Sequence, residues 1–152
     1  MAVFYVTNKK PKSHNKGGSS NQYKVELNNE FQVKYARLYS ALNLPFKKGI
    51  SLKTNVAYIH KCQKGCVPDI DNLSKPIVDA FTGVIYEDDS MVVERRAQII
   101  ESKDFQFVTV DATEMPQQIF EDLNDYYSNG EEHIVLFGVD TLDITSIVIG
   151  VI

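Results

Sequence analysis

Acidic side chains are almost absent from the first 68 residues, where only Glu26 and Glu30 occur, and then concentrate in two short segments. The first segment is Pro68–Pro76 (PDIDNLSKP) and the second is Glu87–Ser90 (EDDS). Carboxylates held close together repel one another, and a hard divalent cation bound through oxygen ligands is the usual way to relieve that repulsion. Such cations also support cleavage of phosphodiesters. The two segments therefore favour metal-dependent chemistry on a phosphate ester.

The net charge of −4 hides a strong asymmetry along the chain. Residues 1–68 carry twelve Lys and Arg against two acids, a net of +10. Residues 69–100 have a net charge of −4, and residues 101–152 have a net charge of −10. We expect a basic N-terminal part that can meet phosphates, followed by an acidic centre and an acidic tail. The alternative is that the charges intermix on folding and leave no basic face.

A length of 152 residues with 43% hydrophobic and 24% charged side chains predicts one soluble domain with a single core. The sequence has no run long enough to span a bilayer and no signal-peptide pattern, and its two cysteines are too few for a disulfide framework. We therefore expect a cytoplasmic protein. Cys62 and Cys66 follow His60, but structural zinc prefers a complete tetrahedral ligand set, so ordinary loop cysteines are favoured over a zinc site.

The spacing of apolar residues predicts a mixed α+β domain. The predicted elements are a strand Ala2–Thr7, a loop Asn8–Asn21, a helix capped by Asn28 or Asn29, strands Ile50–His60, Val84–Tyr86, Met91–Ile100 and Phe105–Val110, a helix from Pro116, and strands His133–Val139 and Thr145–Ile152. A further helix follows the first aspartates and closes at Thr82–Gly83. Because a proline deep in a helix clashes with the preceding turn, Pro76 predicts that this helix begins no earlier than about Asn72 or Leu73.

The spacing of the charged residues predicts which of them share a face. Asp69 and Asp71 project to the same side if their segment is extended. Asp71, Lys75 and Asp79 are four apart and stack along one face if helical, which would place a cation beside the carboxylates. The alternative is that Asp71 or Asn72 is a helix cap, that Lys75 and Asp79 form a surface pair, and that the EDDS segment is a solvated turn.

Residues 68–94 (PDIDNLSKPIVDAFTGVIYEDDSMVVE) closely resemble the core motif of the RusA family of Holliday-junction resolvases, and the match covers about residues 66–98. That family shows a D-x-D-N-L-x-K helix start, a D-A-L/F-x-G helix end and a D-D-S/A-Q-V turn. The resemblance implies that Asp69, Asp71 and Asp89 are catalytic metal-binding aspartates and that Lys75 is the catalytic lysine. Asp79 and Asp88 also match acidic positions of the pattern, with secondary roles.

The resemblance further implies a small mixed α/β fold, a homodimer, and Mg²⁺-dependent paired nicking of four-way DNA junctions in recombination and repair. Such proteins are often encoded by prophages. Lys10–Asn15 is only a loose counterpart of the family's Pro-Pro-Ser/Thr-x-Asn segment. We therefore expect a nuclease core at residues 1–113 and an acidic C-terminal extension at residues 114–152, packed on the core or at the dimer interface.

Four lysines are candidates for contacts with the DNA backbone: Lys10 and Lys12 in the first loop, and Lys61 and Lys64 before the aspartates. The first loop can equally be a solubilising surface loop. Tyr23, Tyr35 and Tyr39 are interpreted as packing residues rather than platforms for base stacking. The alternative to an enzyme is a non-catalytic DNA-binding or regulatory protein that keeps the fold.

Overall fold

The computed structural model describes residues 2–12, 17–61, 67–102 and 115–142. Four strands and three α-helices make up the described part: β1 (Ala2–Thr7), α1 (Gly17–Lys34), β2 (Leu52–His60), α2 (Ile70–Ala80), β3 (Val92–Glu101), α3 (Gln117–Ser128) and β4 (His133–Thr141). Short 3₁₀ segments occur at Ala36–Leu42 and Asp89–Met91. The strands form one mixed sheet with helices packed on it, so the predicted α+β class is confirmed.

The sheet has the strand order β1-β4-β2-β3. β4 is antiparallel to both β1 and β2, whereas β2 and β3 are parallel and are joined through α2. A helix that connects two parallel strands runs back along the sheet, so α2 begins at the end where β2 finishes. β1 is parallel to β2 by the same pairings, so the chain leaves β1 at that end too.

Alternation along the strands puts one row of apolar side chains under the helices. Phe81, which follows α2, is fully buried and stacks on Phe137 of β4 with the ring centroids 5.4 Å apart. The rings of Tyr5 and Phe31 meet Phe81 edge-on at 5.2 and 5.5 Å. This aromatic cluster fixes the end of α2 over the middle of the sheet and ties it to α1.

Helix α1 begins at Gly17, so the prediction of a loop over Asn8–Asn21 is wrong from Gly17 onward. Gly, Ser and Asn are weak helix formers, and the local sequence therefore favoured a loop. Tyr23, Leu27 and Phe31 recur every four residues on the same helix, and all three are buried. Tertiary burial of this stripe outweighs the low helix propensity of the first turns.

Helix α2 begins at Ile70, two residues before the predicted limit, and contains Pro76 in its interior. A proline removes one backbone hydrogen bond, but the side chain of Pro76 is buried, and its packing on the core offsets that loss. The predicted strand Val84–Tyr86 is also wrong, because these residues make only isolated bridges through Tyr86. Gly83 adopts a φ of 85° there and turns the chain instead.

Asn28 and Asn29 lie inside α1, so the prediction that one of them caps the start of a helix is also wrong. The remaining predicted elements are either confirmed or lie outside the described residues. The strands Ala2–Thr7, Ile50–His60, Met91–Ile100 and His133–Val139 and the helix from Pro116 are confirmed within one or two residues. The predicted strands Phe105–Val110 and Thr145–Ile152 lie outside the described residues. Tyr23, Tyr35 and Tyr39 are all buried, as their interpretation as packing residues requires.

The described part of the predicted C-terminal extension is continuous with the rest of the fold. β4 is inserted between β1 and β2, and α3 contacts both β1 and β4. Tyr35 donates a hydrogen bond of 2.5 Å to the Asp122 carboxylate, which links the end of α1 to α3. Residues 115–142 therefore pack on the core and complete its sheet. None of the helices in the described ranges is long and apolar enough to cross a membrane.

Candidate active site

Asp69 and Asp71 lie at the start of α2, and we call them the helix-start pair. Asp69 is the residue before the helix and has an extended backbone, and its side chain makes no capping hydrogen bond. Asp71 is already inside the first turn, so the two residues do not share the extended geometry that the sequence predicted. Both side chains are exposed. Carboxylates at this position are favoured by the positive end of the helix dipole.

Two turns further along α2, the Asp79 carboxylate lies near lysines from two helices. Its Oδ2 lies 3.5 Å from Nζ of Lys75 and 3.7 Å from Nζ of Lys24 on α1. The predicted four-residue pairing of Lys75 with Asp79 is thus confirmed. No hydrogen-bond donor among the described residues reaches Oδ1 of Asp79, which is buried. A buried carboxylate oxygen without a donor is unfavourable unless positive charge compensates it.

The turn before β3 brings Asp89 to Asp79, with Asp88 next to Asp89, and we call Asp79, Asp88 and Asp89 the turn group. The pKa of Asp89 is raised above its ordinary value, first by burial and then by the neighbouring carboxyls of Asp88 and Asp79. The pKa of Asp88 is lowered, first because the backbone N–H of Ser90 donates to its carboxylate, at 3.0 Å. Like charges held this close favour either a shared proton or a bound cation.

A second contact holds the acidic turn in place from the opposite side. The backbone N–H of Lys48 donates to Oε2 of Glu87 at 3.1 Å, and Nζ of Lys47 lies 3.4 Å from Oε1 of the same residue. Phe46 and Glu87 are also joined through the backbone, with N of Glu87 3.1 Å from O of Phe46. The turn is therefore fixed to the segment before β2, and the carboxylates of the turn group have defined positions.

The helix-start pair and the turn group do not converge within one chain. Asp71 and Asp79 are eight residues apart on one helix, which corresponds to a rise of about 12 Å. Carboxylates that share one cation lie within a few ångströms of each other. Among the described residues, no group of three or more His, Cys, Asp or Glu side chains is placed to hold one metal ion. The predicted set of Asp69, Asp71 and Asp89 is accordingly divided between two ends of α2.

The structure describes three of the four lysines that were predicted to contact DNA. Lys10 and Lys12 are exposed and line a cavity together with residues of α1. Lys61 is exposed at the end of β2, and its Nζ lies 5.4 Å from the centre of the Tyr127 ring. Lys64 lies outside the described residues, as do Cys62 and Cys66, so the interpretation of the cysteines stays a prediction.

Two side-chain pairs in this part of the molecule could not be predicted from the sequence. Lys24 reaches Asp79 from a residue 55 positions away, and only the docking of α1 on α2 brings them together. At the end of the sheet where β2 finishes, the hydroxyl of Tyr58 lies 2.7 Å from Nδ1 of His133. That pair comes from two neighbouring strands whose register no local pattern specifies.

The family model described as Endodeoxyribonuclease RusA matches residues 5–111. The chain belongs to this family. The RusA family consists of Holliday-junction-resolving endodeoxyribonucleases, and the matched range contains the helix-start pair, Lys75 and the turn group. β4 lies outside the matched range, although it is a central strand of this chain's sheet. No match was found among curated proteins.

In this RusA-family chain, the charge of Lys10 is expected to act on His133. Burial and the nearby Lys10 ammonium lower the pKa of His133 below 6.5, while Glu131 and Glu132 act in the opposite direction. Replacing Lys10 by Gln removes a positive charge that disfavours the imidazolium, so the pKa of His133 should rise. NMR titration of the imidazole measures this change. Lys53→Gln is the control and should leave the pKa unchanged; an unchanged pKa in Lys10→Gln would show that its ammonium lies elsewhere.

Proposed function

We propose that this protein is a Mg²⁺-dependent endodeoxyribonuclease that resolves four-way DNA junctions by paired nicks, acting in DNA recombination and repair. The observation that carries the proposal is the contact between Asp79 and Asp89, two carboxylates from different elements of the matched motif. Membership of the RusA family supplies the reaction class and branched DNA as the substrate class. A cytoplasmic location follows from an action on DNA and is part of the proposal.

The carboxylates fit a hard divalent cation. The donor atoms are all carboxylate oxygens, which suit Mg²⁺ better than softer metals. Among the described residues, the buried Oδ1 of Asp79 has no hydrogen-bond donor, and this carboxylate adds to the negative charge beside Asp89 that a cation would offset. Asp69, Asp71 and Asp89 would hold the metal, with Asp79 and Asp88 beside it. When bound, a divalent cation stabilises negative charge on the oxygens of the scissile phosphate.

Lys75 provides the fixed positive charge of the proposed site. It lies on α2 between Asp71 and Asp79, and its side chain is 43% exposed, so a phosphate can reach it. The Asp79 carboxylate holds its ammonium within 3.5 Å and thereby orients it. A cation held in place before the substrate arrives stabilises developing charge without reorganisation.

A second copy of the chain would complete the site. Because the helix-start pair and the turn group are about 12 Å apart along α2, the pair of one subunit must meet the turn group of another for all three proposed ligands to bind one cation. A two-fold dimer satisfies this requirement twice and yields two equivalent sites. Two equivalent sites are what paired nicking of a symmetrical junction needs. The homodimer is therefore part of the proposed function.

The first test replaces Asp71 by Asn and measures cleavage of a synthetic four-way junction with Mg²⁺ and with EDTA. Loss of one ligand should abolish Mg²⁺-dependent cleavage, while junction binding in EDTA persists or tightens because a negative charge near the phosphates is gone. Asp125→Asn, an exposed acid on α3, is the matched control and should cleave normally. Cleavage at the wild-type rate by Asp71→Asn contradicts the site. A wild-type protein that binds junctions but never cuts them supports the non-catalytic alternative.

The second test separates catalysis by Lys75 from simple neutralisation of Asp79. Lys75→Ala should slow single-turnover cleavage by about 100-fold, because a fixed charge at the scissile phosphate acts mainly in the transition state. The junction Kd should change little, since one lysine is a small part of the total phosphate contact. Lys24→Ala is the control, because Lys24 pairs with the same Asp79 oxygen. Equal slowing in both variants would contradict a catalytic role for Lys75 and would indicate that it acts only by neutralising Asp79.

A further inference from the structure

Three lysines gather at one cavity between the end of β1 and helix α1. The cavity has a volume of about 350 Å³, and we call it the basic pocket. Its lining residues are Lys9, Lys10, Lys12, Gln22, Tyr23 and Glu26. Three of these residues are lysines and one is a glutamate, so the lining carries more positive than negative charge. This excess of positive charge selects for an anion.

The segment that carries the lysines is held at two points. The backbone N–H of Lys9 donates to Oγ1 of Thr7 at 3.1 Å, and Thr7 itself is fully buried. Pro11, between Lys10 and Lys12, is also buried. The backbone beneath the three ammonium groups is thus held by the core. A loop fixed in this way loses less conformational entropy when a ligand binds than a free one.

The hydroxyl of Tyr23 is the unusual member of the basic pocket. The residue is 2% exposed, and its buried hydroxyl oxygen has no hydrogen-bond partner among the residues that the structure describes. Burial raises the pKa of Tyr23, so the hydroxyl stays protonated and remains a donor. Leaving such a group unpaired costs free energy that a ligand acceptor would recover. The other neutral donor, Nε2 of Gln22, is already directed to Oε1 of Glu26 at 3.3 Å.

We propose that the basic pocket binds one phosphate group of the DNA backbone, with the Tyr23 hydroxyl as the directional donor and the three lysines as surrounding charges. Because Gln22 already donates to Glu26, the Tyr23 hydroxyl is the neutral donor that would bind the phosphate. A deep hydroxyl combined with mobile ammonium groups suits an oxygen-rich anion rather than a halide ion or an apolar ligand.

The location of the basic pocket deepens the proposed nuclease function and rests on it for the identity of the ligand as DNA. The loop follows β1, and β1 and β2 end at the same side of the sheet. Helix α2 begins on that side, so the basic pocket and the helix-start pair share one end of the molecule. A phosphate held in the basic pocket would fix the direction in which the strand approaches the helix-start pair.

The test compares Tyr23→Phe with a variant in which Lys9, Lys10 and Lys12 are all replaced by Gln. Junction affinity is measured in EDTA over a range of salt concentrations, so no cleavage is needed and failure of the proposed nuclease activity does not affect the result. Tyr126→Phe and Lys53→Gln are the controls, since both lie outside the basic pocket. Thermal unfolding is followed for every variant, and Tyr23→Phe should be as stable as the wild type because it removes an unpaired donor and keeps the ring.

We expect Tyr23→Phe to weaken binding at least about fivefold with no change in salt dependence, because a hydrogen bond to a charged group is lost but no charge is removed. The triple lysine variant should reduce the slope of log K against log salt by about one, the value for one neutralised phosphate. Unchanged affinity in Tyr23→Phe overturns the proposal. A slope reduced by about three with Tyr23→Phe unaffected also overturns it, because it indicates three separate surface contacts.

A second measurement separates a DNA phosphate from free phosphate. Inorganic phosphate should raise the melting temperature of the wild type relative to chloride at equal ionic strength, and Tyr23→Phe should lose that increase. Stabilisation by inorganic phosphate together with wild-type junction affinity in Tyr23→Phe would assign the basic pocket to a small phosphate ligand and overturn the DNA assignment.

Discussion

The contact between Asp79 and Asp89 is the interaction on which the proposed site depends. It joins α2 to the turn before β3, and the aromatic cluster around Phe81 fixes the end of the helix over the sheet beside it. Two carboxylates in contact oppose folding unless positive charge compensates them, and Lys24 and Lys75 supply part of that compensation. The remaining deficit at the buried Asp79 oxygen is what a divalent cation would relieve.

The rigidity of α2 imposes the second constraint. A helix cannot shorten to bring its start toward its end, so Asp71 stays about 12 Å along the axis from Asp79. In a single chain, the acids of the RusA motif therefore form two groups rather than one centre. A dimer in which each α2 offers its start to the other subunit's turn group reconciles the motif with this geometry. In the proposed dimer, metal binding, dimer formation and paired nicking would all be consequences of one arrangement.

The sequence predicted the elements whose signals are local. The strands alternate in polarity, α2 carries an apolar stripe, and the four-residue spacing of Lys75 and Asp79 anticipated their ion pair. The start of α1 was missed because its first residues favour a loop, and only burial of Tyr23 and the following stripe makes them helical. The separation of Asp71 from Asp89 was missed as well, since it depends on where α2 begins and on the turn at Gly83.

The measurement that most directly tests the shared site uses a heterodimer of two inactive variants. Asp71→Asn and Asp89→Asn chains with different purification tags are co-expressed, and the mixed dimer is isolated and assayed on a four-way junction with Mg²⁺. If each site combines the two ends of α2 from different subunits, one site of the heterodimer is intact and should nick one strand at about half of the wild-type nicking rate. A heterodimer as inactive as both parents would contradict the account, because every site would then lie within one chain.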